Sequence, residues 1–472
     1  VKYKKLMDGL EATEINLSIC KSIIDFRIDA NTYKKDYVKT DKILKELESI
    51  SIEKRMKNIQ NFGAYSLCND IIFTDKGIPF LMTQNIRHNY IDWSNLRYVN
   101  EESHKMLYKS HCTKNQVLVT MAGEYLGRVA VYDKEFKCSS NQAIAKITLK
   151  NNENPYLVST FLNTKYGQNQ INRFKTITGQ PNINMALIKS LVIPPFSVDF
   201  ANKIQQIIET SNNMLLDANK CYKCAEELLL NELSVDTYEE DESSNVIKNF
   251  AETFSKSGRL DAEYYQKKYD DYKTLIEDYN NGYKLLGDIC KIKDSNFIPK
   301  DKEKYKYIEL SNIGMYGEIN GCIIDYGENL PTRARRMVAE NDVVISSIEG
   351  SLSSCALVEK EFNNALCSSG FYVINSNIIE SEVLLVLFKL KPMQNLMKKG
   401  CSGTILTAIN KNEFVNIPLP LIRKEIQKTI VCNIQENALY RKKSKELLER
   451  AKKAVEIAVE QGEDEAINYI NS

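Results

Sequence analysis

Tryptophan occurs once, histidine three times and proline ten times in this chain, and no apolar run approaches 18 residues. Crossing a bilayer takes a run of about that length, so the chain reads as cytoplasmic, without membrane contact. Its start, Val1 to Asp8, is charged and lacks the apolar segment of a secretory leader. There is no excess of either charge: 63 basic against 62 acidic residues, net +1. The whole-molecule field therefore does not announce nucleic acid, and local distribution must decide. Also missing are a Gly-x-Gly cluster for a nucleotide or methyl donor, a Walker loop and a His-Glu-x-x-His site. Asn154-Pro155-Tyr156 has the outline of an amino-methyltransferase motif but lacks its second proline and any donor site, and reads as a helix start. The 12 cysteines are scattered. Their one close pair, Cys221 and Cys224, lies in a helical stretch with no second pair to complete a zinc site. His88, His104 and His111 lack metal-ligand spacing and suit surface or packing roles. We therefore expect no cofactor, no metal and no catalytic site on this chain.

What is present is a duplication. Arg27-Ile28-Asp29-Ala30 with Tyr33 recurs as Arg259-Leu260-Asp261-Ala262 with Tyr265. Asn115 to Thr120 recurs as Asn341 to Ser346, and Lys134-Glu135-Phe136 as Lys360-Glu361-Phe362. Cys138-Ser139-Ser140 returns as Cys367-Ser368-Ser369, Ile193-Pro194-Pro195 as Ile417-Pro418-Leu419-Pro420, and Lys203-Ile204-Gln205 as Glu425-Ile426-Gln427. The order is kept and the offset drifts only from 232 to 222, which is one large unit copied with small loop deletions, far longer than solenoid repeats.

Within each copy the texture changes once. Before the Ile-Pro step, β-branched runs such as Val117 to Thr120 and Val343 to Ile345 alternate with Gly and Asn turns, as in a mixed α/β domain. After it, steps of four and three predict a coiled-coil seam: Ile204, Ile208, Ser211, Leu215, Ala218, Tyr222, Ala225 and Leu229 in one copy. The other seam is Ile426, Ile430, Asn433, Asn437, Tyr440, Ser444, Leu447, Ala451, Ala454 and Ala458, with Asn433 and Asn437 placed to set register. The expected fold is α+β: globular domains at 1–198 and 256–420, helical spacers at 199–235 and 421–472, and an acidic linker at 236–255. A helix of roughly 30 residues rises about 45 Å, so two packed together make a rigid spacer.

Two matched segments carry bases without acids. From Lys165 to Lys189 the ionisable side chains are Lys165, Arg173, Lys175 and Lys189; from Lys389 to Lys411 they are Lys389, Lys391, Lys398, Lys399 and Lys411. Hydroxyls and amides accompany them: Thr176, Thr178 and Gln180 in the first, Ser402 and Thr404 in the second. Such residues suit double-stranded DNA, since cations and short hydroxyls bind phosphates while Gln or Asn reads an adenine edge. Gln84, Asn85 and Arg87, matched by Ser311 and Asn312, suit base reading or ordinary turn chemistry equally. The turn from Gly123 to Arg128, and its counterpart after Ser347 from Glu349 to Ser354, lets backbone approach a phosphate or closes a hairpin. Arg333, Arg335 and Arg336 add charge to the second copy alone.

With these residues in view the chain resembles the specificity subunit of a type I restriction-modification system, over nearly its whole length. The resemblance rests on Val117 to Arg128, on Gly179-Gln180-Pro181-Asn182-Ile183, on the Ile-Pro-Pro step feeding a long helix, and on the duplicated order. It implies two target-recognition domains at opposite ends of an antiparallel helix pair, each reading half of a bipartite site. It further implies docking of two methyltransferase subunits, which hold S-adenosylmethionine, and of optional restriction subunits. The second copy departs from the pattern at Glu349 to Ser354 and lacks the Gln-Pro-Asn at Gly403. Two competing readings are an enzyme, against which the missing donor motif counts, and a coiled-coil adaptor binding protein, against which the acid-free basic segments count.

Overall fold

The run Gln116-Val117-Leu118-Val119-Thr120 forms a strand whose five residues are all buried. A strand reads that way when its sheet is covered on both faces. The computed structural model describes residues 9–235 and 246–472, apart from 12, 24, 25, 64, 177, 178, 252 and 404–406. Contacts divide the chain into unit 1, Val1–Met214 with Lys442–Ser472, and unit 2, Leu215–Arg441. Two long helices, α1 (Val198–Glu232) and α2 (Lys424–Gln461), each give one stretch to each unit. Among the described residues no helix is long and apolar enough to cross a membrane.

Each unit is mixed α/β. In unit 1 the main sheet runs Met56–Gln60, Ile144–Leu149, Gln116–Thr120, Val129–Tyr132, with every pair antiparallel. Unit 2 repeats it as Cys290–Ile292, Phe371–Ser376, Val343–Ser346, Cys355–Leu357. Because side chains alternate across a strand, Val117 and Val119 join Leu157, Phe161 and Ile204 on one face. Leu118 joins Leu81, Ile86 and Tyr132 on the other. Val343 and Ile345 face Leu384, Phe388 and Leu229, and Val344 faces Ile308 and Phe371. A second sheet in each unit pairs Ser139–Ser140 parallel to Ile78–Leu81, and Leu366–Ser368 parallel to Lys304–Ile308; Ser140 lies opposite Leu81 and Cys367 opposite Ile308, so the two Cys-Ser-Ser runs are out of step by two residues and do not occupy equivalent places.

The helices pack antiparallel within each unit. In unit 1 Ile204 and Ile208 meet Ala451, Ala454 and Ala458, whose small side chains permit close approach. The buried hydroxyls of Ser211 and Ser444 lie 2.7 Å apart. In unit 2 Tyr222, Ala225 and Leu229 share a core with Ile430 and Ile434. Here the seam departs from the expected one. After Ile430 the buried position is Ile434, whereas Asn433 is half-exposed and donates to the Thr429 carbonyl of its own helix. Burying the isoleucine in place of the amide decides the step. Asn437 is buried as expected, and its Nδ2 donates to the Ala218 carbonyl at 2.6 Å.

The repeated Ile-Gln of the long helices explains how each globular part is tied down. Asn154 caps the helix Pro155–Asn163, accepting from the Tyr156 and Leu157 N–H groups, and donates to Gln205 Oε1 at 2.8 Å. In unit 2 the buried Gln427 accepts from the Glu380 N–H at the start of the helix Ser381–Lys389 and donates to the carbonyls of Ile378 and Ile422. Gln427→Ala orphans these backbone groups. We expect it to lower the urea stability of unit 2 by about 2 kcal/mol; a loss below about 0.5 kcal/mol would mean that water takes over the bonds.

Candidate nucleic-acid interface

Gly123 has a φ of 84° and lies so close to its neighbour loop that a Cβ there would sit 3.0 Å from Gln180 Nε2. Only glycine meets both conditions without strain. Two backbones join here: the Ile183 N–H donates to the Met121 carbonyl at 2.8 Å, and the Gly123 N–H to the Pro181 carbonyl at 3.0 Å. In unit 2 the Ile409 N–H donates to the Ser347 carbonyl at 2.9 Å, and Glu349 to Thr407 at 3.0 Å. Each partner lies 226 residues beyond its unit 1 equivalent. Turn and loop, separate in the sequence, thus form one surface in each unit. In unit 1 Thr176 and Asn182 close the loop with two mutual bonds, leaving Gln180 exposed. In unit 2 Ser402 is exposed on Cys401–Ser402, which pairs with Ala408–Ile409, while the Ser347 hydroxyl donates to the Gly370 carbonyl. A hollow of about 230 Å³ lies between that turn and the helix Lys391–Lys399, lined by Glu349, Ser353, Lys391, Gln394 and Lys398. Thr178 and Thr404 lie outside the described residues.

A clamp that the sequence reading missed holds each loop. Arg27 pairs with Asp29, and its Nη1 donates to the carbonyls of Arg173 and Lys175 at 3.3 and 3.2 Å, while the Tyr33 hydroxyl donates to the Arg27 carbonyl. Arg259 pairs with Asp261 and donates to Lys399 and Cys401, and Tyr265 donates to the Arg259 carbonyl. The Arg-x-Asp-Ala…Tyr repeat was the available signal. Its spacing puts the carboxylate beside the guanidinium and the phenol one turn on.

The clamp changes the meaning of the basic segments. Arg173 is only 5% exposed; it donates to the Thr32 carbonyl, pairs with Asp41 and lies over the Tyr33 ring. Lys399 pairs with Asp270 at 2.7 Å, Lys398 with Glu263 at 3.1 Å, and Lys175 donates to Asn172. Acids absent from the local sequence arrive from elements far along the chain, so Arg173 and Lys399 are drawn into the fold, while Lys398 keeps an exposed pair with Glu263. Asn85 is likewise buried in its turn, accepting from the Met82 N–H and donating to the carbonyls of Asp92 and Ser94. Asn312 accepts from Glu309 N–H in the matching turn. Arg336 lies half-buried over Tyr372 and donates to the Phe371 carbonyl, and Arg335 donates to Thr332. Gln84, Ser311 and Arg333 are exposed. Arg87 pairs with Asp92 at 3.3 Å, and Arg128 lies 4.4 Å over the Tyr125 ring. Among the described residues no cluster of three His, Cys, Asp or Glu side chains is gathered for a metal.

Electrostatics of the unit 2 clamp follow from these pairs. Arg259 holds the Asp261 carboxyl below its ordinary value, and the Tyr269 hydroxyl with Lys398 does the same for Glu263. Burial works against the Asp270 carboxylate, yet Lys399 and Lys248 keep its pKa low. A lowered folded pKa adds stability that is present above the unfolded value and lost as pH falls through the folded one. The urea midpoint of unit 2 should therefore drop as pH falls below about 4.5, and drop less in Lys399→Met. Equal slopes in the two proteins would show that the Lys399–Asp270 pair contributes nothing.

Residues 280–449 match the family model described as the type I restriction modification DNA specificity domain. No curated protein matches the chain. Among solved structures, the S subunit of a type I restriction-modification system from M. genitalium is 15% identical, over 86% of this chain and 95% of that one, with a TM-score of 0.44. The HsdS subunit from Thermoanaerobacter tengcongensis is 11% identical, over 88% and 96%, with a TM-score of 0.29. The type IIG restriction endonuclease BpuSI is 11% identical, over 39% of this chain and 29% of that one, with a TM-score of 0.31. At these values the structural likenesses add no argument of their own. The specificity-domain match covers the second copy, and the same bridge and clamp recur in both copies.

Proposed function

We propose that the chain binds double-stranded DNA at a bipartite target, one half-site to each unit, and docks methyltransferase subunits, with restriction subunits as further partners. The observation that carries this is the backbone bridge found at the same positions in both units. It holds the same two loops while their side chains differ: Gly123 and Pro181 in one stand where Glu349 and Thr407 stand in the other. A common frame with different exposed polar groups is what reading two different sequences requires. The contacts to DNA fall to exposed groups, Gln84, Thr176, Gln180, Ser311, Arg333 and Ser402, with Arg87 and Arg128 beside them. The methyl donor, S-adenosylmethionine, binds the partner subunits, and this chain supplies the address.

The protein-binding adaptor gains one point from the structure. Because Arg173, Lys398 and Lys399 are paired within their units, the basic segments no longer argue against it. Steep salt dependence of duplex binding separates the two readings.

Two outcomes are expected. The purified chain transfers no methyl group alone but confers a defined motif on its partner; methylation by the single chain would overturn this. Exchange of residues 1–198 for those of another specificity subunit changes one half of the methylated motif in methylome sequencing. A change in both halves would end the claim that each unit reads alone.

A further inference from the structure

Arg87 and Arg128 are brought together in unit 1 by a buried amide network. Asn163, 5% exposed, donates through Nδ2 to Asn89 Oδ1 at 2.9 Å and to the Val129 carbonyl at 2.8 Å. Its Oδ1 faces His88 Nδ1 at 2.8 Å, Ser159 donates to Asn89, and the Asn89 N–H donates to the Val129 carbonyl. The turn after Arg87 is thus fastened to the strand after Arg128. Asp92 is the carboxylate that pairs with Arg87, and Glu124 acts on Arg128 through space without an ion pair. Asp92 Oδ2 is 3.3 Å from Arg87 Nη2, and its other oxygen accepts from Ser94. Among the described residues no carboxylate pairs with Arg128, whose partner is the Tyr125 ring. Arg87 Nε and Arg128 Nη1 are both buried without an acceptor. Like charges held together by a rigid scaffold repel unless an anion bridges them.

Unit 2 lacks the arrangement. Gly314 stands at the place of Arg87 and Ser354 at that of Arg128, while Lys389, 226 residues beyond Asn163, donates to the carbonyls of Gly314 and Ser353. There a single cation is satisfied by the unit's own backbone. In unit 1 Asp92 meets Arg87 alone, and Arg87 Nε and Arg128 Nη1 are left without an acceptor.

We propose that Arg87 and Arg128 form a site for a tetrahedral oxyanion, which in the DNA-binding reading it rests on is a phosphodiester of the duplex backbone. Unit 1 then grips the backbone at a point for which unit 2 has no equivalent. A phosphate offers several acceptor oxygens in the fork geometry of two guanidiniums, without sequence information.

The test uses the full chain and a labelled duplex of about 30 base pairs, titrated between about 50 and 200 mM salt. Arg128→Gln should lower the slope of log affinity against log salt by about one, and weaken two duplexes of unrelated sequence by the same factor; Arg128→Lys should restore the slope. An unchanged slope, or a loss confined to one sequence, overturns the proposal. Sodium sulfate against chloride at equal ionic strength gives a second readout. It should raise the unfolding temperature of the wild type more than that of Arg128→Gln or Arg87→Gln, and an equal rise overturns the site. If sulfate discriminates while the wild type binds no duplex, the anion site stands and the DNA-binding reading fails.

Discussion

Two backbone hydrogen bonds set the geometry on which the rest of each unit depends. Ile183 to Met121 and Gly123 to Pro181 in unit 1, and Ile409 to Ser347 and Glu349 to Thr407 in unit 2, fasten a loop to a turn that leaves the central strand. Backbone bonds do not consult side chains, so the frame survives while the residues on it change. The arginine clamp works the same way. Arg27 and Arg259 hold their loops by carbonyl oxygens, and every residue in the loop offers one.

That choice frees the exposed side chains of structural duty and gives it to others. Arg173 and Lys399 occupy equivalent places and pair with Asp41 and Asp270, acids brought in from the helices that precede each domain's sheet. A long cation with a buried stem and a paired head packs as well as it binds. These residues anchor the loops from beneath, while Gln180 and Ser402 remain on the outer side.

The cores have drifted under a common backbone. Cys112 donates its N–H to the Cys138 carbonyl at 2.9 Å, and Val338 to Ala365 at the same distance. Lys146, opposite Leu118, is replaced by Val373, opposite Val344. Unit 1 thus buries a lysine that unit 2 does without. Its Nζ donates to the Ser140 hydroxyl at 3.0 Å, and burial pushes its pKa down to about 8. Lys146 is fully buried, and the strand pairing is the same in both units, so the ladder and not this side chain defines the sheet.

Much of the architecture was legible in the amino-acid order alone. The duplication, the β-branched strands, the start of the helix at Asn154 and most of the long-helix seam follow from local rules of periodicity and capping, which need no knowledge of distant partners. Which of two neighbours, Asn433 or Ile434, is buried was settled only when the facing helix was in place. The reading of the basic segments shows the same limit more sharply. Between Lys165 and Lys189 and between Lys389 and Lys411 the sequence has no acid, yet Asp41, Glu263 and Asp270 reach these segments in space. Whether a cation is free is a property of what surrounds it within a few ångströms. The chain order fixes which charges exist, and only tertiary structure decides which of them find each other, because Coulomb attraction and burial act through distance and not through sequence separation.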